Sequence, residues 1–418
     1  MANKTRYIIL GAGTAGVTAA EALRKNDPGA EITVVNGEDE PPYARMAIPY
    51  VLTGKIGAAG TALRKEPNHY DKQGIKVVPG LAVKLAAKAR VVHLDNGESL
   101  AYDRLLIATG SHPTREKVPG IDLPGVHTCW TLADTRAILD RIAPGSRVVQ
   151  MGAGFVGCII MEGLVKRGAQ LTIMVRSGLM VSRMINPVAG NMIRRWCEAK
   201  GVRILAKTQT ARIDAADGAL AVTTTTGEVL PADIYLSAVG VKPNIEWLAD
   251  SGVAIGSGLI VDDRMQTSIP GVYAAGDVAE SIDCVTGRRQ VNAIQPNAVE
   301  QARIAALNMA GRETPFHGSF AFNVLDTLGL ISSSFGEWQG VPGGESGELL
   351  DEQRWRYLRL EFDANRLVGA NAVGFTDHLG ALRGLIERRV PLGVWQQKLI
   401  DNPSRIMEAY LATAQRAA

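Results

Sequence analysis

Cysteine is scarce in this chain. The four residues, Cys129, Cys158, Cys197 and Cys284, lie far apart in 418 positions, with no CxxC pair among them. That spacing excludes a disulfide framework, a zinc ribbon and a vicinal dithiol, and each cysteine reads as a small buried hydrophobe or a free thiol. Charge of one sign is lacking as well: 45 basic against 42 acidic residues leave +3, and no Lys/Arg block forms a stripe that could track phosphates. Nucleic-acid binding is therefore not expected. No apolar run reaches spanning length, so no membrane span is expected, and the start MANKTRYIILGAG leaves no room for a signal-peptide core. These absences lead us to expect a cytoplasmic enzyme without a protein-bound metal, haem or iron–sulfur centre.

Two glycine turns stand out against this background. RYIIL runs straight into Gly11-Ala12-Gly13-Thr14-Ala15-Gly16, followed by an Ala-rich helix and the strand EITVVN. About 140 residues later RVVQM runs into Gly152-Ala153-Gly154-Phe155-Val156-Gly157, followed by a helix and QLTIMV. Each is a strand, a GxGxxG turn, a helix and a second strand, the spacing of a dinucleotide-binding fold. The first Gly makes the turn, the second lets backbone N–H groups approach a pyrophosphate, and the third lets helix pack on strand. The last hundred residues carry no such turn. They show the strand-like stretches FAFNVLDTLGLISSSF and RWRYLRLEFDANRLVGANAVG joined by the Gly-rich VPGGESGE, then the helical segments DHLGALRGLIERR and PSRIMEAYLATAQ. The expected class is α/β, with two Rossmann-like domains and a C-terminal α+β domain.

Three further stretches, AYDRLLIATGSHP, LPADIYLSAVGVKPN and TSIPGVYAAGDVA, complete a motif order that resembles the pyridine nucleotide–disulfide oxidoreductase superfamily over nearly the whole chain. Within it the chain resembles the branch of ferredoxin, rubredoxin and putidaredoxin reductases, NADH oxidases and the flavin half of nitrite reductases. The resemblance implies a discontinuous FAD domain (1–118 and 246–315), an NAD(P) domain inserted between (119–245), and a C-terminal domain (316–418) that covers the flavin and forms a homodimer interface. Trp355 and Trp395 are expected there as core or interface anchors.

By the same resemblance Gly11, Gly13, Thr14, Ala15 and Gly16 hold the FAD pyrophosphate, and Arg45 in PPYARMAIPY reaches its phosphates. The acid that should end the first unit is Asn36 here, so the adenosine ribose falls to Glu38 in preference to Asn36. Val83, Ala108, Thr109, Gly110 and Gly276 join the FAD contacts, Asp277 faces the ribityl hydroxyls, and Gln295, Pro296 and Asn297 border the isoalloxazine.

Around the flavin two family features are missing. The redox-active cysteine of disulfide-reducing relatives aligns with Met46, and a thioether forms neither thiolate nor mixed disulfide. The Lys and Glu that electron-transfer relatives place beside the flavin and nicotinamide align with Tyr50 and Ile159, with Lys55 as a possible stand-in for the lysine. Losing only the lysine would strand a buried carboxylate at about 3 to 5 kcal/mol, so losing both is self-consistent.

The second turn implies an NAD(P) site at Gly152, Gly154, Phe155, Val156 and Gly157, with Gly240 from GVKPN. Its usual terminal acid is replaced by Val175 and Arg176, and Arg183 follows, a pattern that favours the 2′-phosphate of NADPH over NADH. The expected function is an FAD-dependent NAD(P)H oxidoreductase that passes electrons to a small redox protein or a quinone-like acceptor. Two alternatives stay open: an NAD(P)H oxidase reducing O₂, and a flavin-bearing subunit or redox-sensing scaffold with a vestigial NAD(P) fold.

Overall fold

The computed structural model describes residues 4–413, so the last residues of PSRIMEAYLATAQ lie outside the described chain. The chain divides into two compact units. The first holds residues up to Ala47, Gly57–His112 and Val241–Phe320; the second holds Ile48–Ile56, Pro113–Gly240 and everything from Ala321 on.

In the first unit five parallel strands lie in the order Val272–Ala274, Arg104–Ile107, Arg6–Leu10, Glu31–Asn36 and Ile75–Pro79. Their near-continuous apolar runs suit a sheet covered on both faces, and Ile9, Leu105, Leu106 and Ile107 are completely buried. The helices Thr14–Asn26 and Gln295–Met309 pack on one another, using small Ala residues at their contact.

The second unit repeats the pattern. Its parallel sheet runs Arg203–Ala206, Gln170–Val175, Arg147–Met151, Ile234–Ser237 and Val126–His127, and the helix Phe155–Lys166 follows the glycine turn. The fold class expected from the two turns is thus the observed one.

The C-terminal stretch forms a five-stranded antiparallel sheet, ordered Phe322–Thr327, Leu330–Gly336, Arg366–Val373, Arg356–Asp363 and Glu345–Asp351. It carries the helices Leu379–Glu387, Trp395–Asp401 and Ile406–Thr413. The end of the Gly-rich joint is not a linker: Glu345–Asp351 is the edge strand, and a Cβ at Gly347 would stand 2.7 Å from the Leu399 carbonyl oxygen. Only glycine lets the helix Trp395–Asp401 lie that close, covering an otherwise open sheet edge.

This sheet is fastened to the second nucleotide fold. Asn186 caps the helix Pro187–Ala199 with its side-chain oxygen, donates from its amide nitrogen to Tyr357 Oη at 2.6 Å, and donates from its backbone to Asn371 Oδ1 at 2.9 Å. Trp355, expected as an anchor, meets Trp196 edge to face with ring centroids 5.2 Å apart.

Candidate functional site

The two glycine turns have the same internal geometry. Gly11 has φ +109°, and a Cβ there would stand 2.2 Å from the Ala108 carbonyl oxygen; Gly152 has φ +103°, and a Cβ there would stand 2.3 Å from that of Ala238. No other residue fits either place. The third glycines, Gly16 and Gly157, likewise have no room for a Cβ, whereas the middle ones, Gly13 and Gly154, have nothing within 4 Å. Both helices that follow begin on those middle glycines without a side-chain cap. Each turn therefore offers unsatisfied N–H groups and clear space, the arrangement that accepts a pyrophosphate.

In the first unit the remaining motifs converge on this turn. A Cβ on Gly276 would touch Ala15 and Ala298, so the Gly276–Asp277 step lies between the turn and the helix Gln295–Met309. Ser111 donates to Asp277 Oδ2 at 2.7 Å. Thr109 and Gly110 are held by Asn244, which donates from its side chain to the Thr109 carbonyl at 2.7 Å and from its backbone to the Gly110 carbonyl at 2.9 Å.

Glu38 and Arg45 meet. Arg45 Nη2 donates to Glu38 Oε1 at 2.6 Å, Tyr43 donates to Glu38 Oε2 at 2.7 Å, and Arg45 Nη1 reaches the Ser111 carbonyl at 3.2 Å. Burial works against the Arg45 charge, but the Glu38 carboxylate outweighs it and holds the guanidinium above its ordinary value. Asn36 is occupied locally, its side-chain amide donating to the Glu40 carbonyl at 2.7 Å. Val83 is half exposed beside Leu81, and Leu81 packs over Gly37 just past the end of the second strand. That is an apolar edge suited to a flat ring.

At the start of the helix Gln295–Met309, Gln295 is half-buried and Pro296 exposed. The Asn297 amide is buried and turned toward the chain itself, donating at 3.1 Å to both the Asn292 and the Phe320 carbonyls. Asn292 is tied in turn to Asp283, a completely buried carboxylate that accepts from Asn292 and Gln290 side chains and from two backbone N–H groups. This network was not visible in the sequence. It fixes where the helix begins.

In the second unit Phe155 and Val156 open the helix half-buried, and the loop after the second strand folds back onto the turn through Val181 N to the Ala153 carbonyl at 2.8 Å. That return places Arg183 beside Gly240, its Nη1 3.9 Å from where a Cβ would sit. Arg176 and Arg183 are exposed, and neither has a hydrogen-bond or ion-pair partner among the described residues. Lys207, missed by the sequence reading, packs against Gly178 in the same loop. Gln150 was missed too: completely buried, it donates to the carbonyls of Gly152 at 2.8 Å and Gly157 at 3.1 Å, bracing both ends of the turn.

Tyr50 and Met46 are about half exposed, and Ile159 is half-buried on the helix Phe155–Lys166. Lys55 does have a partner. Its Nζ lies 3.9 Å from Glu162 Oε1 and 5.7 Å from the centre of the Tyr50 ring. Glu162 follows Ile159 by three residues and shares its helix face. The short helix Ile48–Leu52 reaches this face because Gly163 admits Leu52, and Arg167 Nε donates to the Leu52 carbonyl at 2.6 Å.

None of the buried thiols is poised to ionise. Burial pushes Cys129 and Cys197 up to about 12, and Cys158 upward as well. Among the described residues no cluster of side chains suits a metal, and no helix is long and apolar enough to cross a membrane.

The family model described as pyridine nucleotide-disulphide oxidoreductase matches residues 5–305. Over 403 residues the chain is 34% identical to the NADH-dependent phenylglyoxylate dehydrogenase subunit epsilon of Aromatoleum evansii, covering 96% of this chain and 95% of that protein. Rubredoxin-NAD(+) reductase of Pseudomonas putida is 29% identical over 389 residues, covering 91% of this chain and 98% of its own. Among solved structures, the covalent putidaredoxin reductase–putidaredoxin complex matches with a TM-score of 0.91 at 24% identity, over 99% of this chain and 100% of that one, a likeness of fold.

Proposed function

Because the chain belongs to the pyridine nucleotide–disulphide oxidoreductase family, and is an oxidoreductase working with FAD and a nicotinamide nucleotide, we propose that it takes electrons from NADPH and delivers them to a small redox protein or a partner subunit, without a cysteine relay. The residues fit both nucleotides. The turn at Gly11–Gly16, with Arg45, Glu38 and the Ser111–Asp277 pair, would hold FAD; the turn at Gly152–Gly157, with Arg183 and Gly240, would hold the nicotinamide nucleotide. When bound, FAD supplies the ability to accept two electrons together and release them one at a time. The protein's part is to seat the two nucleotides, orient them and exclude side reactions.

The observation that carries the donor is the pair Arg176 and Arg183, cations without partners among the described residues, where an acid would favour NADH. Two guanidiniums suit a phosphate of nearly two negative charges. The acceptor reading draws on the relatives: one is named as a subunit of an NADH-dependent dehydrogenase and another as a reductase of rubredoxin. The exposed Met46 and the raised thiols support electron exit without sulfur chemistry. The expected homodimer is part of the same proposal, as are the FAD, NAD(P) and C-terminal domain boundaries.

Rapid mixing of the FAD-loaded protein with NADPH and with NADH tests this. Bleaching of the flavin band faster with NADPH is expected. Bleaching by neither would leave a flavin-bearing scaffold, and rapid consumption with air as sole acceptor would make the protein an oxidase.

A further inference from the structure

A further cation stands beside the donor site, on the neighbouring strand. In the second parallel sheet Gln170–Val175 and Arg203–Ala206 lie side by side, with Val175 in register with Ala206. Arg176 and Lys207 are the next residues along, so they leave the same edge of the sheet from strands about 4.8 Å apart. That edge is formed by the carboxyl ends of the parallel strands, where an open sheet of this kind takes a nucleotide.

Local geometry holds Lys207 against the loop that begins at Arg176. Its backbone has φ +52°, a left-handed conformation that a long side chain seldom adopts and that persists only where the surroundings fix it. Gly178, with φ +79°, supplies the room: a Cβ there would stand 3.2 Å from Lys207 Cγ and 3.8 Å from its Cε. The lysine stem therefore lies along the loop, and its charged end stays in solvent.

The charge there is unanswered. Elsewhere in this unit Arg147 pairs with Asp233, Arg203 with Glu228 and Arg195 with Glu352. The Lys207 side chain, like those of Arg176 and Arg183, has no ion-pair or hydrogen-bond partner among the described residues. The two stretches that leave this edge, RSGLMVSR and KTQT, contain no acid. Like charges brought together without a counter-charge repel one another, and an anion that binds among them relieves the repulsion.

On the reading that NADPH is the donor, we propose that Lys207 is a third cation of the 2′-phosphate seat, closing it from the strand Arg203–Ala206 as Arg176 closes it from Gln170–Val175. The two side chains divide the work. A planar guanidinium gives paired hydrogen bonds to phosphate oxygens, whereas an ammonium on a flexible stem acts as a point charge and adapts to the oxygen left over. NADH offers only a ribose hydroxyl at this place, which gains little from an ammonium. Lys207 thus acts on the choice of nucleotide. A lysine that merely covered Gly178 would behave otherwise, because an apolar cover survives the loss of the charge.

The test is titration of the FAD-loaded protein with NADP⁺ and with NAD⁺, in the unaltered chain and in Lys207→Met, which keeps the apolar stem and removes the charge. The unaltered protein should bind NADP⁺ the tighter. Lys207→Met should weaken NADP⁺ by about tenfold and NAD⁺ by less than about threefold, and Lys207→Arg should recover most of the loss. Added salt should shrink the difference between the unaltered chain and Lys207→Met, since an exposed charge is screened. Amine acetylation read by mass spectrometry probes the same contact without a variant: NADP⁺ should protect Lys207, and NAD⁺ should not. An NADP⁺ preference that survives whole in Lys207→Met, equal weakening of the two nucleotides, or acetylation of Lys207 that NADP⁺ does not slow would overturn the assignment alone. No preference for NADP⁺ in the unaltered protein would overturn the reading of the donor, and the assignment with it. The acetylation experiment decides the matter even if Lys207→Met does not fold.

Discussion

Arg45 Nη2 stands 2.6 Å from Glu38 Oε1 while its Nη1 reaches the Ser111 carbonyl. The guanidinium is thus held at both ends before any phosphate arrives. Pre-orientation of this kind lowers the entropy lost on binding, so Arg45→Ala should weaken FAD retention by about ten- to a hundredfold, read as flavin absorbance per chain after gel filtration. Glu38→Gln should weaken it less. A variant of Arg45 that keeps full flavin content would assign the residue to a surface ion pair.

The nucleotide preference should follow charge. Removing both Arg176 and Arg183 by substitution with Ala is expected to raise KM for NADPH by about ten- to a hundredfold and leave that for NADH within about threefold. Because these side chains are exposed, the NADPH effect should also shrink as salt is added. Equal losses for the two nucleotides would remove the case for a 2′-phosphate contact.

Lys55 Nζ lies 3.9 Å from Glu162 Oε1, three residues past Ile159 on the same helix, and we propose this pair as the stand-in for the family's Lys and Glu. Their exposure limits what the pair contributes to stability to below about 1 kcal/mol. If the pair aids hydride transfer, Glu162→Gln and Lys55→Met should each slow flavin reduction by about tenfold with little change in Tm. Unchanged rates would make it a solvated surface contact, one that Glu162 also shares with Lys166.

Alkaline pH should unfold the protein in a defined window. Burial pushes Tyr7 and Tyr357 up to about 12 from an ordinary 10, and Cys129 and Cys197 up to about 12 from about 9. The folded chain keeps these protons where the unfolded chain has lost them. Stability from this source is therefore complete below pH 9 and falls between pH 9 and about 12. Denaturant midpoints across that range check it, and a thiol titration of the native protein near pH 8 should find no more than one reactive cysteine of the four.

The two turns were legible because their requirements are local. Gly11 and Gly152 are dictated by carbonyls that any strand–turn–helix of this spacing brings close, so the pattern carries the geometry. Side-chain partnership was less legible. Asn36 was a candidate for the ribose but is drawn to the Glu40 carbonyl four residues on, and Glu162 was passed over because the family's carboxylate position falls on Ile159, three residues earlier. Gln150 sits in an apolar strand, where its only signal was that a buried polar residue must have a partner.

The division of the chain has a genetic consequence. Each compact unit is written in three separate pieces, and the nine residues Ile48–Ile56 belong with the second unit although both flanks belong with the first. No single truncation yields either unit whole, although the five strands of the second nucleotide fold, from Val126 to Ser237, all lie within the one piece Pro113–Gly240. That piece could be exchanged as one segment only if its helix Phe155–Lys166 still admitted the helix Ile48–Leu52, which is encoded far upstream, whereas substitution inside the loop from Arg176 to Arg183 changes the donor site without that constraint.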